Sequence, residues 1–172
     1  NEKYTGELTQ FKKEVLLYDK NRKAQFAGCM GLRDCSTEKD WINLCNLRKR
    51  TETCEQAGTT VPSTTYFAIR ESDNRLVGVI DLRHHIDHLI LGTWGGHCGY
   101  SVRPSERGKG YANEMLRLNI QNAKRMGLSK LLVVCDETNA ASEKTILANG
   151  GVFEKYLEID GCRMKRYWID TD

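Results

Sequence analysis

Residues 95–112 read GGHCGYSVRPSERGKGYA and combine a strand, a sharp bend and a helix start. The alternating Cys98, Tyr100 and Val102 predict the strand, and Pro104 predicts its end because proline cannot donate to a sheet ladder. The glycines that follow let a ligand approach backbone N–H groups at the helix start, where the helix dipole favours an anion. The stretch therefore predicts a binding site for phosphate or pyrophosphate.

Regular hydrophobic spacing continues after this stretch. Residues 108–126 carry one apolar helical stripe, and the apolar run 131–135 is typical of a strand buried on both faces. A strand, a helix and a second strand in such a short span indicate a βαβ unit, which is expected to be parallel and right-handed.

The remaining segments extend the pattern in both directions. They are a helix over 7–27, a second helix from Ser36 or Thr37, a mobile connection over 50–63, a hairpin over 65–82, a short helix over 140–148, and a closing hairpin over 152–169. This order predicts one mixed α/β domain, residues 1–172, with a mainly antiparallel sheet and one parallel strand pair.

Charge and apolar content limit the kinds of partner. The net charge is only +3, which is too small to indicate a nucleic-acid-binding protein. Between Ser101 and Lys130, seven basic residues stand against two acidic ones, and of these we assign only Arg107 and Lys109 to the phosphates of a ligand. No apolar run is long enough to span a membrane and no signal peptide opens the chain, so we expect no membrane partner.

The cysteines and histidines give no sign of a disulfide framework or a metal site. The seven cysteines are odd in number and include no Cys-x-x-Cys pair, which favours reduced thiols and a cytoplasmic location. His84 and His88 lie four residues apart on a strand end, where two side chains do not share a face as zinc ligands do on a helix. We predict no metal site and interpret these histidines as surface or substrate-loop residues.

Two motifs together carry a resemblance to a known family. Arg107, Gly110 and Ala112 occupy the fixed places of Gln/Arg-x-x-Gly-x-Gly/Ala directly after a strand, which resembles the acetyl-CoA signature of the GNAT (Gcn5-related) N-acetyltransferase superfamily. Further along, Asn139-x-x-Ser142 and the stretch NGGVF at 149–153 look like the family's segment after its fifth strand. The likeness is greatest to a branch of bacterial GNAT proteins that read GGHxGYSVRPxERxKGYA. Neither a Walker loop nor a dinucleotide fingerprint fits the same glycines.

The resemblance implies a fold and a cofactor. The GNAT fold has a central, mostly antiparallel twisted sheet, one parallel splayed strand pair and helices on both faces; its first strand is expected within residues 1–8 or before them. The cofactor implied is acetyl-CoA, with the pantetheine arm on the backbone of Tyr100, Ser101 and Val102. The pyrophosphate would lie on Arg107, Gly108, Lys109, Gly110, Tyr111, Ala112 and Asn113. Asn139 and Ser142 would contact the distal pantetheine or adenosine side.

The chemistry implied is direct attack of a neutral amine on the thioester carbonyl, which requires a proton acceptor and a donor for the leaving thiolate. The tyrosine that the family uses as donor is replaced by Ile146, and a glutamate used by some relatives aligns with Val134. His97 is the candidate base, with a structural, hydrogen-bonded histidine as the alternative. Tyr100 is a candidate acid, as are Tyr111 and Cys135, although Tyr100 and Cys135 are also typical core residues.

Two functions of different classes follow. The first is an acetyl-CoA-dependent N-acetyltransferase acting on the primary amine of a small molecule or a peptide. The second is a non-catalytic acyl-CoA sensor with the same fold, which the missing tyrosine keeps open. A homodimer through the last strands is compatible with either function.

Overall fold

The computed structural model describes residues 2–18 and 26–172. The helices are α1 (Thr5–Tyr18), α2 (Glu38–Arg48), α3 (Thr51–Cys54), α4 (Tyr111–Arg125) and α5 (Ala140–Ala148). The strands are β1 (Ser63–Arg70), β2 (Arg75–Arg83), β3 (Tyr100–Val102), β4 (Lys130–Asp136), β5 (Val152–Ile159) and β6 (Cys162–Asp170).

The strands form two three-stranded antiparallel sheets, ordered β1-β2-β3 and β4-β6-β5. The parallel ladder predicted between the strands that flank α4 is not confirmed, because β3 and β4 belong to different sheets. The two sheets meet just before β3, where His97 N donates to Leu132 O at 2.8 Å. In the described part of the chain, no backbone hydrogen bond joins β3 to β4 beyond Leu132. A slot therefore opens between the two strands.

Helices cover both faces of these sheets, as predicted. One core lies under α1 and α2, and includes Phe11, Trp41 and Val79. A second core lies under α4 and α5, and includes Leu116 and Ile146. The mixed α/β class is thus confirmed, and the two sheets are joined at the contact between His97 and Leu132.

Three predictions at the amino-terminal end were wrong in part. Of the helix predicted over 7–27, residues 7–18 are helical, residues 26 and 27 are not, and the part over 19–25 lies outside the described residues. The strand considered within residues 1–8 is absent from residues 2–8, which are helical. The predicted mobile connection over 50–63 contains the short helix α3. Cys54 on this helix is buried, and Arg48 donates a hydrogen bond to Ala57 O just after the helix.

Local cues were reliable where they depended on neighbouring residues. Thr37 caps α2 by accepting a hydrogen bond from Asp40 N at 3.1 Å, as the hydroxyl and first-turn acids predicted. Helix α4 begins at Tyr111 rather than at residue 108, because Gly108 and Gly110 adopt positive φ values of 77° and 84°.

Candidate functional site

The glycine loop before α4 presents unpaired backbone donors to solvent. The hydrogen bond from Glu114 N to Gly110 O, 3.1 Å, is the first of the helical ladder, so the N–H groups of Tyr111, Ala112 and Asn113 precede it. A Cβ atom built on Gly108 or Gly110 would meet no atom within 4 Å. The loop is an open cradle at a helix amino terminus, which is what a pyrophosphate needs.

The cations of this loop are held by neighbouring groups. Lys109 Nζ lies 2.8 Å from Glu106 Oε2, and Arg70 Nη1 lies 2.8 Å from the same oxygen. Lys109 and then Arg70 lower the pKa of Glu106, so this carboxylate is ionised and orients the lysine beside the cradle. Arg107 turns back instead: its Nε donates to Val102 O at 3.2 Å and its guanidinium stacks 4.4 Å from the Tyr18 ring.

Strand β3 uses only one of its two edges for pairing. Its residues pair with β2, as Tyr100 with Ile80 and Val102 with Gly78, while the edge towards β4 borders the slot. The free edge offers backbone donors and acceptors to an extended amide-bearing ligand such as a pantetheine arm. The side chain of Ser101 is engaged elsewhere, since its Oγ donates to Ala27 O at 2.8 Å.

The amino terminus of α5 carries the last two predicted cofactor residues, Asn139 and Ser142. Asn139 caps α5 by accepting from Ser142 N at 3.1 Å. Asn149, at the other end of α5, bonds Asn113 Oδ1 at 2.6 Å and so ties α5 to the start of α4. The structure therefore places the carboxyl end of α5 beside the start of α4, and the amino terminus of α5, through Ser142, beside Tyr100 of β3.

The Tyr100 hydroxyl reaches from β3 to α5, where it lies 2.7 Å from Ser142 Oγ. Burial raises the pKa of Tyr100 well above its usual value, so the hydroxyl remains protonated at neutral pH. Ile146, which stands where the family's tyrosine is expected, is fully buried in the core one helical turn further on. Tyr100, on β3, therefore places a phenol beside α5, the helix that carries Ile146.

His97 occupies the junction of the two sheets. Its Nδ1 accepts a hydrogen bond from Leu132 N at 2.8 Å, which places the proton of the neutral ring on Nε2. Burial, followed by the charge of Arg83, lowers the pKa of His97 to about 4. Of the two roles that the sequence left open, this geometry favours the structural one, because the ring has no free lone pair for an incoming proton.

The surroundings of Tyr111 and Cys135, the two other acid candidates, do not favour a catalytic role. The Tyr111 hydroxyl accepts a hydrogen bond from Arg70 Nη1 at 3.1 Å and so faces the ion cluster beside the cradle. Cys135 is buried, and burial raises the pKa of its thiol to about 11.

The structure also shows a feature that the sequence did not indicate, a π-helical turn over Leu91–Gly95. Two arginines hold its carbonyl groups: Arg83 donates to Gly95 O at 2.9 Å, and Arg166 donates to Gly92 O at 2.8 Å. Such turns are frequent at functional sites. The contacts span 12 and 74 residues of chain, so no local pattern announces them.

Two histidines beside this turn have hydrogen-bond partners within the protein. His84 Nε2 lies 2.9 Å from Thr64 Oγ1, and His88 Nδ1 accepts from Ile90 N at 3.2 Å. Within residues 2–18 and 26–172, no group of three or more metal-binding side chains is arranged around a common point. None of the helices in these ranges is long and apolar enough to cross a membrane.

A family model described as an acetyltransferase (GNAT) domain matches residues 37–152, two-thirds of the chain. The chain belongs to the GNAT acetyltransferase family. Its match includes β3, the glycine loop, α4 and α5, which are the elements that surround the slot. No curated protein sequence matches the chain.

Solved GNAT structures share this fold at low sequence identity. A protein from Bordetella pertussis assigned to the same family superposes with a TM-score of 0.64 at 12% identity, over 96% of this chain and 90% of that one. The microcin self-immunity acetyltransferase MccE, in complex with acetyl-CoA and AMP, gives 0.62 at 17% identity, over 98% and 87%. A mutant of the spermidine N-acetyltransferase SpeG from Vibrio cholerae gives 0.60 at 15% identity, over 97% and 91%.

The family model confirms the family and with it an acetyl-CoA-dependent N-acetyltransferase activity for this GNAT protein, and the solved structures confirm the fold class. The alternative of a non-catalytic sensor gains no support from these findings. The family model names no acceptor, and at such identities the solved structures establish the fold alone.

Proposed function

We propose that this GNAT acetyltransferase binds acetyl-CoA in the slot between β3 and β4 and acetylates the primary amine of a small molecule or a peptide. The observation that carries the proposal is the free edge of β3 leading directly to the glycine cradle of α4. A ligand with amides along its arm and a pyrophosphate at its end matches this order of binding groups, a free strand edge followed by the N–H groups of the cradle. Residues 1–172 act as one domain.

The binding roles follow from the position of each group. The backbone of Tyr100 and Val102 faces the free edge and pairs with the pantetheine amides, whereas Ser101, predicted with them, is paired with Val79 on β2. The pyrophosphate takes the N–H groups of Gly108, Lys109, Gly110, Tyr111, Ala112 and Asn113, with Lys109 as the adjacent cation. Arg107 orders the loop through Val102 and Tyr18, and Asn139 and Ser142 hold the cofactor from α5.

Bound acetyl-CoA supplies the thioester, and the chain's own residues supply position and protons. Tyr100 is the proton donor for the leaving thiolate, because β3 carries its hydroxyl to the start of α5, where it lies 2.7 Å from Ser142 Oγ. His97 acts as a positioning residue that holds β4 at the closed end of the slot. Solvent in the open part of the slot takes the proton of the amine.

The test is thiol release from acetyl-CoA against a panel of amines and short peptides, with calorimetric binding of acetyl-CoA. A no-acceptor blank is required because the chain has seven cysteines. Tyr100→Phe is expected to lower kcat about 100- to 10,000-fold while the Kd for acetyl-CoA stays unchanged, the usual range for losing a general acid. Tyr4→Phe, a tyrosine outside the slot, is the matched control.

Each result separates the alternatives. Binding without release for any amine would favour the sensor function. Release that is unaffected by Tyr100→Phe would remove Tyr100 from the chemistry. A fall in kcat that Tyr4→Phe shares would mean a general loss of stability.

A second copy of the chain is the partner that we propose for β5. This strand lies at the edge of its sheet, and Val152, Phe153 and Tyr156 on it are 67%, 45% and 42% exposed. An edge with exposed apolar side chains favours association. Sedimentation velocity of the full chain measures the dimer, and a monomer at all concentrations contradicts it.

A further inference from the structure

The slot has two faces, and they differ in what borders them. On one face lie α4 and α5, and the glycine loop at the start of α4 forms the cofactor cradle. On the other face, Arg166 connects β6 to the π-helical turn through Gly92 O and Thr93 O. Arg166 is paired in register with Val134, two residues beyond the last contact between the sheets at Leu132. The turn therefore borders the slot where it is open, opposite the cofactor side.

The turn is fixed from both sheets. Arg83 on β2 donates to Gly95 O and Gly96 O at 2.9 and 3.0 Å, while Arg166 on β6 holds the preceding carbonyls. Each guanidinium has its own carboxylate, since Arg83 lies 3.2 Å from Asp81 and Arg166 lies 2.6 Å from Glu154. The turn is thus a preformed wall, because rearranging it would expose two buried or half-buried ion pairs.

The outward side of this wall is apolar. Three large side chains of the turn and its approach are exposed although the backbone beneath them is firmly held: Leu89 at 85%, Ile90 at 45% and Trp94 at 41%. A rigid apolar surface beside an opening is an ordinary feature of a site that receives the apolar part of a small ligand.

Three of the carboxylates near the open face are already engaged. Asp81 and Glu154 are paired with the two arginines, and Asp136 at the end of β4 accepts both the N–H and the hydroxyl of Thr138. A distal ammonium group would have to break one of these contacts to gain a counter-charge, or use Asp87, whose side chain is 93% exposed and whose charge is therefore screened by solvent. A peptide backbone would likewise find the charged groups on this face already committed to internal partners.

We propose that the π-helical turn is the acceptor-binding wall, and that the acceptor is a primary monoamine carrying an apolar group rather than a polyamine or a peptide. The inference rests on the proposed acetyl transfer and names the substrate class of that same slot. The amine enters from the open face while its apolar group lies against Trp94 and its neighbours.

The experiment measures thiol release from saturating acetyl-CoA with four probes: phenethylamine, methylamine, spermidine and a tripeptide with amino-terminal Phe. We expect kcat/KM for phenethylamine to exceed that for each of the others at least about 10-fold, the usual contribution of an apolar group in a matching pocket. Trp94→Ser is expected to raise KM for phenethylamine about 10-fold, and to leave KM for methylamine and the Kd of acetyl-CoA unchanged. Leu118→Ser, at a position that is similarly exposed (45%) but lies on α4, is the matched control.

The outcomes distinguish this inference from the function on which it rests. Faster release with spermidine or the tripeptide than with phenethylamine overturns the inference and leaves acetyl transfer in place. So does a Trp94→Ser protein with an unchanged KM for phenethylamine. Absence of release with every probe, despite acetyl-CoA binding, overturns the proposed function and this inference with it.

Discussion

The cofactor side and the acceptor side of the slot are built in opposite ways. The cofactor cradle consists of consecutive residues, 107–113, that are mostly exposed and act through their backbone. The acceptor side is a turn held by arginines from two different sheets, one of them 74 residues away. A site that binds through backbone donors leaves a short motif in the sequence, whereas a site shaped by long-range contacts leaves none.

The largest effect is expected from breaking the cofactor side alone. Gly110→Trp places a bulky residue at φ 84° in the cradle, where no atom within 4 Å opposes its Cβ. Two or three charge-assisted contacts to the pyrophosphate are lost, so the Kd for acetyl-CoA should rise at least about 1,000-fold by calorimetry. The free energy of unfolding should fall by only about 1 kcal/mol, the strain of a positive φ.

A glycine at the other end of α4 provides the control for this variant. Gly127 has a φ of 80° and equally open surroundings. Gly127→Trp should show the same small loss of stability with normal acetyl-CoA binding. Equal loss of binding in both variants would contradict the assignment of the cradle.

The opposite pattern is expected on the acceptor side. Arg166→Met removes a side chain that is 7% exposed and leaves Glu154 and the carbonyls of the turn without their partner. The free energy of unfolding should fall by about 2 kcal/mol in urea titrations, less than for a fully buried pair because Glu154 is one-third exposed. The Kd for acetyl-CoA should not change, and KM for the amine should rise.

The comparison fails if Arg166→Met weakens acetyl-CoA binding as much as it weakens amine binding, because the two sides would then not be separable. Arg163→Met, an arginine of the same strand with a half-exposed side chain, should leave both quantities unchanged.

The smallest effect concerns the junction between the two sides. The pKa of His97 lies near 4 in the folded protein, below its ordinary value of 6.5. The unfolded chain therefore takes up a proton first as the pH falls, and the stability from this group, present above about pH 6.5, is lost towards pH 4. Between about pH 7.5 and about pH 5.5 the loss should be about 1 kcal/mol.

His97→Asn removes the titrating group and keeps an acceptor for Leu132 N. Urea unfolding at both pH values should show a smaller pH dependence in this variant than in the unchanged protein. Identical pH dependence would mean that the ring is not held neutral at the junction, and would reopen its role as the base.

Much of the fold was predictable where local periodicity decided it. Helix α4, the hairpin of β1 and β2, the buried strand β4 and the short helix α5 were all predicted near their observed positions. Helix α3 was missed because its polar sequence resembles a loop, and only the burial of Cys54 and Ala57 gives it structure. The predicted parallel pair of β3 and β4 was not confirmed. Strands that flank a helix normally pair along one ladder, but here the contact between the two sheets stops at Leu132.

The candidate site divides in the same way. The residues proposed for the cofactor could be named from two motifs, and the structure brings them to one slot. The chemical role of His97 could not be judged from its residue type, because the bond from Leu132 N that occupies its Nδ1 comes from a strand 35 residues away. The contact of Tyr100 with Ser142 could not be predicted for the same reason, because the two residues are 42 positions apart in the chain.

The sequence by itself determined the family, the cofactor cradle and most of the secondary structure, because glycine conformations, caps and hydrophobic periods depend on residues close together in the chain. Only the tertiary structure decided where the sheets separate, which groups keep a free lone pair and what borders the open face of the slot. Those properties depend on burial and on contacts such as Arg166 with Gly92, which exist only once distant segments have packed together.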